Sequence, residues 1–253
     1  MVLTLDGPKQ CPLNLTELMP EQEWNLHRLV IDGANARNLP FAVGGGLAFS
    51  TYSERWRNTK DIDLFIRPGD RESFIDITRE AGFVDYFETK EYDRSWIYRA
   101  FREGVIVDLI WTMPNHRMVV DDGWVLRGRR VDVRGACLRL LPVVELICSK
   151  LYVMQFDRCD WPDLMNILYS EGTCLDWDRL IDRLGPDVPL LSALVTLYAW
   201  VCPERARDLP GWLWTRLGVA RPTDDAGCNG RNDRSRLLDT RDWFGPNDGS
   251  ADS

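Results

Sequence analysis

The chain has few of the residues that build the commonest metal and nucleic-acid sites. It carries only two histidines, His27 and His116, in 253 residues. Its seven cysteines (Cys11, Cys137, Cys148, Cys159, Cys174, Cys202 and Cys228) are odd in number, scattered, and form no CxxC. That argues against a zinc site and for reduced, mostly buried thiols. A basic excess is also missing. Lys and Arg number 31 against 39 Asp and Glu, a net charge of -8, whereas a long nucleic-acid surface is normally basic. No apolar run approaches the roughly 18 residues of a membrane helix. The N-terminal "MVLTLDGPKQ" has neither the basic start nor the apolar stretch of a signal peptide. The expectation is a cytoplasmic protein with no membrane partner. A metal bound here would take oxygen ligands, which points to Mg²⁺ or Mn²⁺.

What is present is ordered in two halves. Pro20 suits the first turn of a helix running to about Ala36, with Trp24, Leu29 and Val30 inward. "LPFAV" reads as a strand entering Gly44-Gly45-Gly46, and "LAFSTYSE" as a helix behind them. "DIDLFIR" has strand composition and stops at Pro68-Gly69. "DRESFIDITREAG" is an amphipathic helix closed by Gly82. "FVDYF", "WIYRAF" and "VIVDLIW" are further strands, with Gly104 marking the turn between the last two. "WVLRGRRVDVRG" reads as a hairpin carrying Arg127, Arg129, Arg130 and Arg134, which serves as a solvated face or as a nucleic-acid patch. From "VVELICSKLYVMQF" onward the pattern is helical, through "WPDLMNILYSEG", "DWDRLIDRL", "PLLSALVTLYAWV" and "GWLWTRL". The polar, glycine-rich stretch after Gly218 reads as a disordered tail. The expected fold is α/β (α+β), a small mixed sheet flanked by helices. Residues 17–135 would form this core, 136–218 a helical domain and 219–253 the tail.

The chemistry concentrates in carboxylates. Strand residues two apart face the same way, so Asp61 and Asp63 project together, about 7 Å apart. Ile62, Leu64 and Ile66 take the other face, and Phe65 makes the aspartates' own face apolar further along. Asp108 is the one charge in the apolar run "VIVDLIW". A buried lone carboxylate is costly. At an effective dielectric of about 20, two such charges 4 Å apart repel by roughly 4 kcal/mol. Such a group needs protonation, a buried arginine or a divalent cation. The glycines add a turn between strand and helix, where backbone N–H groups and the helix dipole favour an anion such as triphosphate.

In this order (glycines, helix, Asp61-Ile62-Asp63-Leu64, Asp108) the chain resembles the polymerase-β-like nucleotidyltransferases. The approach "RWRNTKDIDLF", with Arg57, Thr59 and Lys60, is similar to that superfamily's run before its DxD. Further on, "LPVVELICSKLYVMQFDRCDWPDLMNIL" resembles a block of the AbiEii group of nucleotidyltransferase-like toxins, at Glu145, Lys150, Arg158, Asp160 and Asp163. The resemblance implies two Mg²⁺ (or Mn²⁺) ions and an NTP substrate. Asp61 and Asp63 would bind both metals and Asp108 the catalytic one. Gly44, Gly45, Gly46, Ser50, Thr59 and Lys60 would lie on the nucleotide side. Lys150 would reach phosphate or base from the helical domain, whereas Asp160 and Asp163 fit helix-cap positions equally well. The implied activity is transfer of a nucleoside monophosphate to an unidentified hydroxyl or phosphate on RNA, protein or a small molecule. A toxin of this kind would have a cognate antitoxin as partner. The alternative is a non-catalytic nucleotide-binding or regulatory protein on the same fold.

Overall fold

In the computed structural model, residues 17–57, 59, 61–223, 234–239 and 243–244 are described. They fall into two compact units, one ending at Pro142 and the other starting at Val143. The first extends beyond the expected end at Gly135 because the chain returns to the sheet: Leu141 donates its N–H to Val43 O (2.8 Å) and Tyr52 Oη donates to Leu141 O (2.9 Å).

The first unit is built on a five-stranded mixed sheet. Its strands are β1 (Phe41–Val43), β2 (Asp61–Ile66), β3 (Val84–Asp85), β4 (Ile97–Arg102) and β5 (Val105–Ile110). The spatial order is β1-β2-β5-β4-β3, with β2 and β5 parallel and every other pair antiparallel. The β4–β5 hairpin turns on Glu103 (φ 52°) and Gly104 (φ 87°). Positive φ at both central residues is the turn whose twist matches a two-residue hairpin. "FVDYF" is strand only at Val84–Asp85 and then becomes a 3₁₀ turn over Tyr86–Glu88. There the Asp85 side chain accepts from Phe87 N.

Helices α1 (Glu21–Ala36), α2 (Gly45–Ser53) and α3 (Arg71–Glu80) complete the core. Trp24, His27, Val30, Ile31 and Ala34 form the buried stripe of α1. Leu29, expected inward, is 47% exposed, since its place on the helical wheel is on the face opposite the stripe. Phe74 of α3 meets Phe41 edge-on at 6.2 Å. A short helix, α4 (Asp122–Leu126), covers part of the sheet, and its Trp124 stacks on Phe65 at 5.8 Å. The expected hairpin therefore starts later than its sequence suggests. Trp124–Leu126 are helical, and the strands are β6 (Arg130–Val133) and β7 (Ala136–Arg139), turning on Arg134 and Gly135. Val131, Val133, Ala136 and Leu138 face inward, which leaves Arg130 directly opposite Arg139 on the outer face.

The second unit is helical: α5 (Val143–Leu151), α6 (Trp161–Glu171), α7 (Trp177–Leu184), α8 (Val188–Val201), α9 (Pro203–Ala206) and α10 (Gly211–Leu217). Together α7, a 3₁₀ turn and α8 make a helical run of 25 residues, long and apolar enough by composition to cross a membrane. Its residues Leu180, Leu184, Leu191, Leu194 and Val195 are core residues of the unit. Part of the expected disordered tail is packed. Ser235 is 1% exposed, Arg234 Nη1 donates to Trp200 O, and Phe244 stacks on Tyr169 at 4.9 Å. Residues 224–233, 240–242 and 245–253 of that stretch lie outside the described residues. The described cysteines Cys137, Cys148, Cys159, Cys174 and Cys202 carry no disulfide.

His27 ties α1 to the sheet. Its Nε2 lies 3.1 Å from Ile106 O, an acceptor, so Nε2 carries the proton and Nδ1 faces the Met19 thioether at 2.9 Å. Burial dominates and lowers its pKa from 6.5 to about 4, against the opposing pull of the Ile106 carbonyl and Asp61. A histidine held neutral in this way contributes its full stability above pH 6.5, and that contribution is lost as pH falls towards 4. The loss is bounded at about 3 kcal/mol. Urea unfolding at pH 7 and pH 4.5 should show that drop in the native protein and a smaller one in His27→Gln. Equal pH dependence in the two proteins would contradict a buried neutral imidazole.

Candidate active site

The sheet register brings three charged residues into a row. Asp63 on β2 pairs with Asp108 on β5, and Asp108 pairs with Arg99 on β4. Directly opposed residues share a face of a sheet, so Asp63, Asp108 and Arg99 stand side by side. Asp61 stands two residues before Asp63 on that face. The opposite face is sealed by Ile62, Leu64, Val107 and Leu109, all 2% exposed or less.

Arg99 answers the charge problem that Asp108 poses. Asp108 is 2% exposed. Arg99 Nε donates to Asp108 Oδ1 (2.8 Å) and Nη2 to Oδ2 (2.6 Å), a two-pronged pair. Hydrogen bonding to Asp108 raises the Arg99 pKa still further, burial opposes it, and Asp61 and Asp63 add to the rise. Arg99 is also fixed from behind. Its backbone N–H donates to Tyr92 Oη (2.9 Å), Tyr92 Oη donates to Asp85 Oδ1 (3.0 Å), and the guanidinium lies 5.9 Å from the Tyr86 ring centroid.

The glycine turn meets the first carboxylate pair directly. Gly44 N donates to Asp63 O (2.9 Å), which ties the turn to the middle of β2. A Cβ on Gly44 would lie 2.2 Å from Phe65 Cε2. Gly45 has φ +54°, and a Cβ there would lie 1.6 Å from Asp63 Oδ2. The first residue of α2 is thus in contact with a carboxylate of the DxD, and no other residue type leaves the room. Gly46 lies against Thr59, whose Oγ1 donates to Asp61 O (2.9 Å) and so fixes the entry into β2. Arg57 and Arg129 lie over the α2 rings Phe49 and Tyr52, at 5.6 and 5.0 Å.

Gly44, Gly45, Gly46, Thr59, Asp61, Asp63 and Asp108 are therefore gathered around β2 and its pairing with β5. The other expected residues have different surroundings or lie outside the described residues. Ser50 is fully buried in α2 and its Oγ has no hydrogen-bond partner. Lys60 lies outside the described residues. Lys150 belongs to the second unit, is 5% exposed, and its Nζ donates to Asp160 Oδ2 (2.8 Å) and Asp163 Oδ2 (2.6 Å). Arg158 Nε adds a bond to Asp160 Oδ1 (3.1 Å). Burial alone would raise the Asp160 pKa, but Lys150 and Arg158 outweigh it and hold it below the usual carboxylate value. Glu145, fully buried, takes Arg179 and Arg183 on Oε1 while Oε2 has no partner. Charges of the downstream block thus brace α5 against its neighbours within the unit.

A cavity of about 360 Å³ lined by Arg79, Phe83, Asp85, Arg94 and Tyr98 includes none of the three carboxylates. Among the described residues no group of three His, Cys, Asp or Glu side chains is arranged to hold a metal ion. The donor set fits a more modest demand. Mg²⁺ is commonly held by one or two carboxylates, with substrate phosphates and water completing its shell. Asp61 and Asp63, neither of them fully buried, fit that requirement. Asp108, with both oxygens accepting from Arg99, does not.

No protein-family model matches the chain, and no curated protein is significantly similar to it. Solved structures give weak likenesses. ANT(2")-Ia in complex with adenylyl-2"-tobramycin is 18% identical over 71% of this chain and 100% of that one, with a TM-score of 0.47. The lincosamide antibiotic adenylyltransferase LnuA, lincomycin-bound, is 13% identical over 59% and 96%, with a TM-score of 0.42. The Thermotoga maritima CCA-adding enzyme complexed with tRNA is 13% identical over 83% of this chain and 54% of that one, with a TM-score of 0.36. At such values they carry no more than a general likeness of fold.

Two substitutions test the local geometry. Gly45→Ala forces a side chain into left-handed backbone and into Asp63, and should lower stability by about 1–3 kcal/mol in urea titration. An unchanged midpoint would mean that the turn and Asp63 are not in contact. Lys150→Met leaves Asp160 and Asp163 without their buried cation and should cost about 3–5 kcal/mol. A variant as stable as the native protein would show that Lys150 is not a structural brace.

Proposed function

We propose that the first unit is the catalytic core of a nucleotidyltransferase. The observation that carries this reading is the contact of the Gly44–Gly46 turn, at the start of α2, with Asp63 of the DxD. A helix start that can meet phosphate oxygens thereby adjoins two carboxylates that can hold a cation. In the proposed reaction an acceptor oxygen bonds to the α-phosphorus of an NTP. The bridging P–O bond to the β-phosphate breaks and pyrophosphate leaves. The acceptor proton passes to Asp61 or water, because both oxygens of Asp108 already accept from Arg99. A divalent ion at Asp61 and Asp63 would neutralise phosphate charge and hold the triphosphate in line.

The net charge of -8 favours a cationic small-molecule acceptor over RNA. An AbiEii-type toxin with a cognate antitoxin is a narrower form of this proposal. It rests on the downstream block alone, and Glu145, Lys150, Asp160 and Asp163 of that block already serve as internal braces. One observation favours a non-catalytic nucleotide-binding protein instead, namely the Arg99 clamp on Asp108.

The deciding assay offers each labelled NTP, with Mg²⁺ or Mn²⁺, to total RNA, a panel of cationic small molecules and the protein itself. Label should appear in one acceptor class with release of pyrophosphate. Asp61→Ala and Asp63→Ala should lower the rate by about 10²-fold or more while the chain stays folded. Native-like turnover by both variants sinks the proposal. Mg²⁺-dependent NTP binding without pyrophosphate release from any acceptor favours the non-catalytic reading.

A further inference from the structure

We propose that Arg99 takes the place of a second metal ion: the site binds one divalent cation, at Asp61 and Asp63, and the Arg99 guanidinium supplies the remaining positive charge. This rests on the nucleotidyl-transfer reading for its nucleotide but not for its charge balance.

Three observations lead to it. First, Arg99 and Asp108 are cross-strand partners on the same hairpin. Their pairing is set by the two-residue turn at Glu103–Gly104 and not by a mobile loop. Second, the guanidinium covers both oxygens of Asp108 (2.8 and 2.6 Å) in a carboxylate that is almost wholly buried. A metal ion reaching Asp108 would have to break both bonds and then face the displaced guanidinium as a like charge. Asp61 and Asp63 are both more exposed than Asp108. Third, the Arg99 backbone is tied to Tyr92 and its guanidinium lies over the Tyr86 ring, and 34% of its side chain remains exposed. Guanidinium has five N–H donors. Asp108 takes two of them, so three are left for phosphate oxygens.

Among the described residues of the row, Asp61, Asp63, Asp108 and Arg99, the charges balance on this assignment. Asp61, Asp63 and Asp108 bring three negative charges, and one divalent ion with one guanidinium brings three positive. A second divalent ion would leave an excess of positive charge in the same space until the triphosphate arrived. Arg99 is also permanently charged, so this half of the compensation does not vary with metal supply. A metal ligand at position 108 would instead require a carboxylate open to solvent or substrate.

Counting bound Mn²⁺ per full-length chain, by electron paramagnetic resonance and calorimetry, tests the assignment. The count is made with and without an α,β-methylene NTP analogue. The native protein and Asp108→Asn should bind the same number of ions under each condition, whereas Asp61→Asn should lose the protein-held ion. Arg99→Gln should uncover Asp108 and raise the count by one. If that variant does not fold, the native versus Asp108→Asn comparison still decides. A native protein that loses one of two ions on Asp108→Asn overturns the inference and leaves the nucleotidyl-transfer reading standing. Absence of both Mn²⁺ and analogue binding in the native protein overturns both together.

Discussion

A buried carboxylate has to be compensated, and in this chain the compensation decides the geometry around it. Asp108 lies in the middle of a five-stranded sheet between β2 and β4. On one side it faces Asp63, which would repel it, and on the other Arg99, which holds it. The positive charge of Arg99 on β4, beside the negative ones of Asp108 on β5 and Asp63 on β2, lets an acidic pair persist at the edge of an apolar core. Removing Arg99 would leave two carboxylates side by side on paired strands. The hairpin turn, the register of β2 on β5 and the glycine contact with Asp63 all define this row.

Much of it could be read from residue order. β1, β2, β4, β5 and most helices appear where period and punctuation put them, because those segments have unmixed patterns. So does the juxtaposition of glycines and DxD. What escaped was the identity of the cation. A buried arginine was one way to satisfy Asp108, and its position was in fact recoverable. A two-residue turn at Glu103–Gly104 pairs Arg102 with Val105, and counting outward pairs Arg99 with Asp108. Charges of opposite sign at matched distances from a hairpin turn are a signal of such a pair. Reading the two strands separately hides it.

Other differences come from tertiary contacts that local sequence does not carry. Trp124 sits in a helix although "WVL" has strand character, because its ring covers Phe65. Leu29 is exposed because the α1 stripe is already filled by Trp24, His27, Ile31 and Ala34. Ser50 is buried because Leu47, Ala48, Phe49, Thr51, Tyr52 and Ser53 are all buried around it, so no face of α2 is left for a ligand beyond its first turn. The packing of Phe244 on Tyr169 depends on an aromatic cleft that composition cannot show.

The downstream block illustrates how a resemblance and a structure can assign different work to the same residues. Lys150 with Asp160 and Asp163, and Glu145 with Arg179 and Arg183, are buried charge groups that join α5 to α6 and α7. Such groups are poor stabilisers compared with apolar packing, yet costly to break, since the partner left behind stays buried. A spacing of charges kept for that reason looks the same in sequence as one kept for catalysis. Burial separates the two cases. Lys150 is closed off among its carboxylates, whereas Asp61 and Asp63 stand partly open beside a glycine turn. Chemistry requires groups that a substrate can reach, a requirement that Asp61 and Asp63 meet better than the buried charges of the downstream block.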